Sequence, residues 1–290
     1  MDNKLKVLIT GSNGFIGGYF LKNYEDIFEF KKFSFLKDNI EKLNLNNINT
    51  VVHCGALVHE LNNAPSLEEY FEVNVNQTMA LANKAKKSNV NHFVFLSTVK
   101  VYGEKIKTIL NENSPTNAED NYSKSKLKAE QMLKTMESSK FKISIIRIPL
   151  VYGPGVKANF LMLMRLINFF PLIPLGGINN KRTMVFVGNL SDILFQIISK
   201  KTNGLFIAKD DSSLSTTELV ELSAKAMKKK VYLFRFPLLV FLMKKFYNSV
   251  YNRLFLSYEF DNKKTMEKLE INKSKYTNKV ALEITLKNFK

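Results

Sequence analysis

The chain of 290 residues contains a single cysteine, Cys54, so no disulfide can form within it. Cys54 reads as a small apolar residue inside a strand, and a reducing cytoplasm is the expected compartment. Arginine is also scarce, with five among 43 basic residues, so the net charge of +17 is almost wholly lysine, spread from end to end. A nucleic-acid surface gathers basic residues on one face with aromatics between them. The sequence shows no such cluster, and nucleic acid is not expected as a partner; the milder consequence is a positive field that favours anionic substrates. No run reaches the roughly 20 apolar residues needed to span a bilayer. The nearest, Val231 to Met243, is broken by Arg235 and Pro237 and ends at Lys244-Lys245. It is too short to cross, and reads either as a buried or substrate-covering helix or as a peripheral membrane contact, for which a basic, aromatic-rich segment is suited. The opening MDNKLKVLIT runs straight into an apolar strand without a signal-peptide layout. Internal repeats and low-complexity blocks are lacking as well.

What is present is ordinary globular composition, 45% apolar and 24% charged, enough for one large domain with a smaller appendage. Apolar strands are expected at Lys4 to Thr10, within Asp26 to Phe35, and at Thr50 to Ala56, His92 to Ser97 and Lys142 to Ile148. Helical periodicity is expected over Phe15 to Tyr24, Glu69 to Ser88 and Tyr122 to Ser138. Strands alternating with such helices argue for an α/β fold, a Rossmann-like doubly wound parallel sheet. Residues 1–150 are read as the dinucleotide-binding domain. Residues 151–290, punctuated by glycine and proline up to Gly177, are read mainly as a smaller C-terminal substrate-binding lobe. Segments of that half return to the first domain, and a strand is expected around Met184 to Val187.

Gly11, Gly14 and Gly17 stand at three-residue spacing in TGSNGFIGG, between the first strand and the first helix. One permits the tight turn, one lets backbone approach a pyrophosphate, and one lets helix and strand pack closely. The helix N-terminus then offers free N–H groups to the phosphates. An NAD site usually adds an acidic residue at the end of the second strand. Here the segment reads FEFKKFSF, with Lys31 and Lys32, so NAD or NADP stays open. Tyr122 and Lys126, four apart in NYSKSK, fall on one helix face. A nearby ammonium favours the phenolate and lets the tyrosine shuttle a proton. Ser97 and Thr98 stand at the end of the HFVFLS strand, where a hydroxyl can hold the same substrate oxygen.

These motifs in this order resemble the extended short-chain dehydrogenase/reductase family, which contains sugar-nucleotide epimerases, dehydratases and reductases. The resemblance spans roughly residues 4 to 270. It implies cofactor contacts at Gly11, Asn13, Gly14, Phe15, Ile16 and Gly17 in the glycine turn, and at Gly55 and Ala56 in HCGA. Asn74 in FEVNVNQT, Ser97, Tyr122, Lys126 and Pro149 complete the implied cofactor set. Thr98, Tyr122 and Lys126 match the catalytic positions. Thr98, Lys157, Asn159 and Arg182 match substrate contacts, with Arg182 on the diphosphate and Asp192 in a structural position. No metal is implied. The sequence departs from the pattern at Gln77, where relatives often have glycine, and near Leu269-Glu270-Ile271, where a Leu-Gly-Trp-like element is absent.

Within the family the chain is similar to a bacterial surface-polysaccharide branch of UDP-sugar 4-epimerases and of 4-keto-6-deoxy-sugar reductases. Action at C4 of a UDP-linked sugar is therefore expected, and homodimerisation through two helices per subunit is implied. A dehydratase would place an acidic pair after the catalytic threonine; Val99 and Lys100 stand there instead. A catalytically silent dinucleotide sensor or scaffold is the alternative, but such proteins commonly lose the tyrosine or the lysine, and both are kept.

Overall fold

The computed structural model describes residues 4–58, 65–104, 106, 108–287 and 289, with 158 and 159 described in backbone only. Strand β1 (Lys6–Thr10) leads through the glycine turn into helix α1 (Phe15–Tyr24) and strand β2 (Glu29–Phe33). Strand β3 (Thr50–His53) is followed by α2 (Leu67–Phe71), a π-helical turn over Glu72–Asn76, and α3 (Gln77–Lys87). Ser66 and Glu69 start α2 with a reciprocal capping box. Strand β4 (His92–Thr98), helix α4 (Asn121–Met136) and strand β5 (Lys142–Ile148) come next.

The later half supplies β6 (Leu150–Tyr152), α5 (Ala158–Phe169), β7 (Leu172–Ile173), β8 (Met184–Phe186), α6 (Val187–Lys200) and β9 (Gly204–Ile207). It ends with α7 (Thr216–Ala226), β10 (Tyr232–Leu233), α8 (Pro237–Phe246), α9 (Asn248–Phe255), α10 (Lys263–Leu269) and α11 (Asn278–Leu286).

Six strands form one parallel sheet in the order β2-β1-β3-β4-β5-β9. The fold is thus the Rossmann-like α/β class expected from the sequence. Alternate residues of each strand feed two separate cores, because side chains point to opposite faces at a period of two. Leu8, Val51, Phe93, Phe95, Ile143 and Ile145 pack with Leu81, Ala85, Ala129 and Leu133 of α3 and α4. Val7, Ile9, Val52, Val94, Leu96 and Ile146 pack on the other face with Phe20 of α1 and Leu190, Leu194 and Ile197 of α6. Covering both faces is what buries β3 and β4 along their whole length.

The strand pairing of the later half departs from the sequence reading. The strand expected around Met184 pairs in parallel with β6, outside the main sheet, whereas β9 extends the main sheet beside β5. Four residues, Gly-Leu-Phe-Ile, are too few to announce a strand by periodicity alone. The first half, by contrast, follows the sequence reading, with a loop over 34–49 and no further helix or strand between β2 and β3. This leaves β2 at the sheet edge, where exposed Lys31 and Lys32 discourage edge-to-edge pairing.

A third core, with Tyr152, Phe160, Met164, Ile173, Phe186, Val220 and Leu282, joins α5, α7 and α11 into the smaller lobe. The two parts are tied by buried Asp210, just beyond β9. Its carboxylate accepts from Tyr152 Oη at 2.7 Å, the Phe186 N–H at 2.9 Å and Asn189 Nδ2 at 2.7 Å.

Candidate active site

The switch point between β1 and β3 opens onto the glycine turn. Gly11 adopts φ +65°, and a Cβ there would stand 2.8 Å from the Gly55 nitrogen. A Cβ on Gly17 would lie 2.4 Å from the Gly11 carbonyl oxygen. Both positions therefore exclude a side chain, and two strand ends and a helix close to within backbone contact. Gly14 caps α1 without any side-chain acceptor, leaving the first-turn N–H groups and the positive end of the dipole for an anion. Asn13 and Gly14 are exposed at this tip. Ile16 packs toward the sheet, while the ring of Phe15 turns to the lobe and reaches Gly153, leaving backbone as its contribution to the turn. The cradle fits a dinucleotide pyrophosphate. At the end of β2, Lys31 Nζ donates to the Asn44 carbonyl at 2.7 Å. Asp38, the acid that follows in the chain, accepts the Ser34 N–H at 2.8 Å and so shapes the turn.

Beneath the cradle lies a buried chain of hydrogen bonds that sequence reasoning missed. Thr78 donates its hydroxyl proton to the Asn74 carbonyl at 2.9 Å, so toward His53 Nε2, also at 2.9 Å, it can only accept. The proton on His53 therefore sits on Nε2, and Nδ1 accepts from Thr10 Oγ1 at 2.6 Å. Thr10 Oγ1 in turn accepts the Gly55 N–H at 3.0 Å. Burial, and secondarily the charge of Lys126, pushes the His53 pKa down to about 3, so the ring stays neutral. The result fixes Gly55 and Ala56 beside the turn.

Asn74 occupies the π-helical turn, a distortion often found where a helix must aim one side chain. Its amide accepts the Leu57 N–H at 2.8 Å, donates to the Leu57 carbonyl at 3.0 Å, and donates to Ser125 Oγ at 3.0 Å. Ser125 then donates to the Tyr122 carbonyl at 2.7 Å. Asn74 thus couples the strip after β3 to the first turn of α4.

The start of α4 carries Tyr122 and, one turn further on, Lys126. Asp120 caps it, accepting the Ser123 N–H at 2.6 Å, and pairs with Lys100 Nζ at 2.7 Å. Lys100 stands two residues after Thr98, and Asp120 two before Tyr122, so this ion pair draws the end of β4 to the start of α4. Thr98 Oγ1 accepts the Lys100 N–H at 3.2 Å, which leaves its own proton to be donated elsewhere. The Tyr122 ring lies 6.2 Å from that of Tyr70, and burial raises its phenol above the usual value, with Asp120 and Tyr70 adding to the rise. Lys126 is buried with Nζ 3.9 Å from the centre of the Phe95 ring. Burial pushes its pKa down to about 7, against the opposing pull of Glu130 and then Cys54. Ser97 differs from its expected role. Its side chain points to the opposite face from Thr98 and donates to Glu130, which grips Arg147 Nη2 at 2.6 Å in a buried ion pair. Its hydroxyl is therefore a packing group behind the site.

Pro149, expected at the cofactor, is buried between β5 and β6, and exposed Lys157, expected at the substrate, caps α5. The side chain of Asn159 lies outside the described residues. Arg182 is half-buried and donates from Nη1 to the carbonyls of Asn252 at 3.3 Å and Leu256 at 3.2 Å, at the end of α9. Burial lowers its pKa and the like charge of Arg253 adds to that effect. Arg253 escaped sequence reasoning, which had no means to bring it beside Arg182. Tyr258 Oη donates to the Gly103 carbonyl at 2.8 Å, tying this edge to the loop that follows Thr98. Asp192 is half-buried on α6, and burial raises its pKa.

The profile of the NAD dependent epimerase/dehydratase family matches residues 29–206. The chain belongs to this family. A UDP-glucose 4-epimerase of Vibrio cholerae is 34% identical over 265 residues, covering 82% of this chain and 81% of that protein. Among solved structures, a UDP-N-acetylglucosamine 4-epimerase from Methanobrevibacter ruminantium in complex with UDP-N-acetylmuramic acid superposes with TM-score 0.79. That pair shares 18% identity over 98% of each chain. A UDP-glucuronic acid 4-epimerase from Bacillus cereus in complex with NAD gives TM-score 0.75 at 17% identity, again over 98% of each. At such identities these structures establish the fold. The chain carries its glycine turn at Gly11, Gly14 and Gly17, Thr98 at the end of β4, and Tyr122 and Lys126 near the start of α4.

Proposed function

We propose that this protein is an NAD-dependent 4-epimerase acting on a UDP-linked sugar. The redox part is supported by Thr98 at the end of β4 and Tyr122 and Lys126 one turn apart near the start of α4, two elements that the Lys100–Asp120 pair ties together, alongside a glycine turn with no room for side chains. Action at C4 is supported by the Vibrio cholerae relative, whose identity extends over most of both chains. Gly11, Gly14, Gly17 and the free N–H groups of α1 would hold the pyrophosphate, with Gly55, Ala56, Asn74 and Pro149 lining the remainder. The family's description and a solved neighbour in complex with NAD support NAD over NADP.

NAD, when bound, supplies a hydride acceptor and a positively charged ring. The chain's own residues handle the oxygen. Tyr122 takes the proton of the sugar 4-hydroxyl and later returns one to the same oxygen, while Thr98 donates a hydrogen bond that orients it. Burial raises the Tyr122 phenol, so the site needs positive charge beside it. Lys126, one turn along α4 and lowered to about 7 by its own burial, would supply that charge in its protonated form and would also hold a ribose hydroxyl. Arg182, Arg253, Lys157 and Asn159 would bind the diphosphate, whose two negative charges relieve the mutual repulsion of the two guanidiniums. The smaller lobe serves as the substrate lobe. A homodimer and a role in surface-polysaccharide synthesis belong to the same proposal and rest on sequence resemblance.

NMR of purified protein with UDP-glucose or UDP-N-acetylglucosamine, NAD and no reductant tests the reading. Appearance of the 4-epimer supports it, because an epimerase regenerates its cofactor each cycle. Unchanged sugars, together with consumption of a UDP-linked 4-keto-6-deoxy sugar and NADH or NADPH, would make the protein a reductase instead.

A further inference from the structure

Two long stretches of the chain, 138–191 and 222–258, contain no aspartate or glutamate. The fold brings a segment of each to one face, because β7 from the first pairs with β10 from the second, Leu172 opposite Tyr232. Large apolar side chains stand open there. Phe170 is 56% exposed, Leu172 63%, Tyr232 66%, and the patch continues through Phe234 and Phe236, whose rings are 6.2 Å apart. Helix α8 then presents apolar residues on both sides. Leu239, Val240 and Met243 form its half-buried stripe, whereas Leu238, Phe241, Leu242 and Phe246 form a second stripe facing outward, with Phe241 61% exposed. Isolated exposed apolar residues are common on any protein, but a continuous aromatic patch of this kind marks an interaction surface.

Its rim is basic. Lys228, Lys229 and Lys230 precede β10, Arg235 lies between the two phenylalanines, and Lys244 and Lys245 close α8, all exposed. We infer that this face docks on an anionic lipid surface, with the α8 stripe in the interfacial layer and the lysines against the headgroups. Charge decides among occupants. A second copy packed across a two-fold axis would set lysine against lysine, with no acidic residue in either stretch to offset it. A negatively charged membrane meets both the cations and the aromatics. Among the described residues no helix is long and apolar enough to cross a membrane, so the contact is peripheral. Docking of this kind is independent of the proposed reaction.

Co-sedimentation of the full chain with vesicles tests it, using equal parts phosphatidylethanolamine and phosphatidylglycerol, and phosphatidylcholine alone. The protein is expected to pellet with the first, weakly with the second, and less as salt rises. Leu238→Ser with Phe241→Ser should weaken binding roughly tenfold or more, and replacing Lys228, Lys229 and Lys230 by Glu should do so by about as much. Because these side chains are exposed, melting temperatures of both variants should match the parent, which separates lost docking from lost folding. Failure of the intact chain to pellet with the anionic vesicles at low salt would overturn the inference. So would unaltered binding by both variants. A concentration-dependent dimer, abolished by the Leu238 and Phe241 changes, would assign the face to a second copy.

Discussion

Tyr122 is the residue whose removal separates chemistry from binding most cleanly. Its phenol is the proton carrier in the proposed reaction, while the pyrophosphate cradle is backbone and lies on a different element. Tyr122→Phe should therefore lower kcat by about a thousandfold, within the range of general acid–base catalysis, and leave NAD binding, followed by fluorescence quenching, unchanged. Two buried histidines make a second prediction. Burial pushes both His53 and His92 from 6.5 down to about 3, so both are neutral in the folded protein. Between those values the unfolded chain binds more protons than the folded one. Their contribution to stability is complete above pH 6.5 and is lost as pH falls toward 3. Acid unfolding over that window should cost on the order of several kcal/mol, and thermal melts at stepped pH would show the falling Tm. The motif residues were readable because each lies within a few positions of its partner. The His53 chain was not, since Thr10, His53, Asn74 and Thr78 meet only when β1, β3 and the π-helical turn assemble.

At the scale of elements, α4 is held to the sheet by Glu130, fully buried and paired with Arg147 of β5. Removing the carboxylate alone leaves a buried guanidinium without its counter-charge and frees the Ser97 hydroxyl. Glu130→Ala should therefore cost about 3–5 kcal/mol, measured by urea denaturation, because breaking such a pair is far more harmful than never having built it. The pair also explains why Ser97 misled: the strand pattern located both hydroxyls at the end of β4, but which face each takes depends on the neighbouring helix. Helix and strand alternation was legible through the first half, where lengths are ordinary and periodicity strong. It failed at β9, whose identity as a strand comes from β5 offering a free edge to a four-residue segment.

For the whole molecule the dominant quantity is charge: 43 lysines and arginines against 26 acids leave +17. Self-repulsion at this excess opposes compaction, and salt screens it over about 10 Å at 0.1 M. Thermal stability should accordingly rise between very low and physiological ionic strength, while the KM for a diphosphate substrate rises too; calorimetry and initial rates would register the two trends. Stability that falls with added salt would mean that attractive pairs outweigh the excess. The sequence by itself determined the layered α/β architecture, the glycine turn and the Tyr122–Lys126 pair, because these depend on local periodicity and on steric demands at single positions. Tertiary structure alone decided the strand order, the tautomer of His53, the diversion of Ser97 to Glu130, and the meeting of Arg182 with Arg253. It also decided the gathering of segments from two acid-free stretches on one apolar face. Each of these arises from residues far apart in the chain, brought together by packing whose energy is shared across the whole core and is written in no single segment.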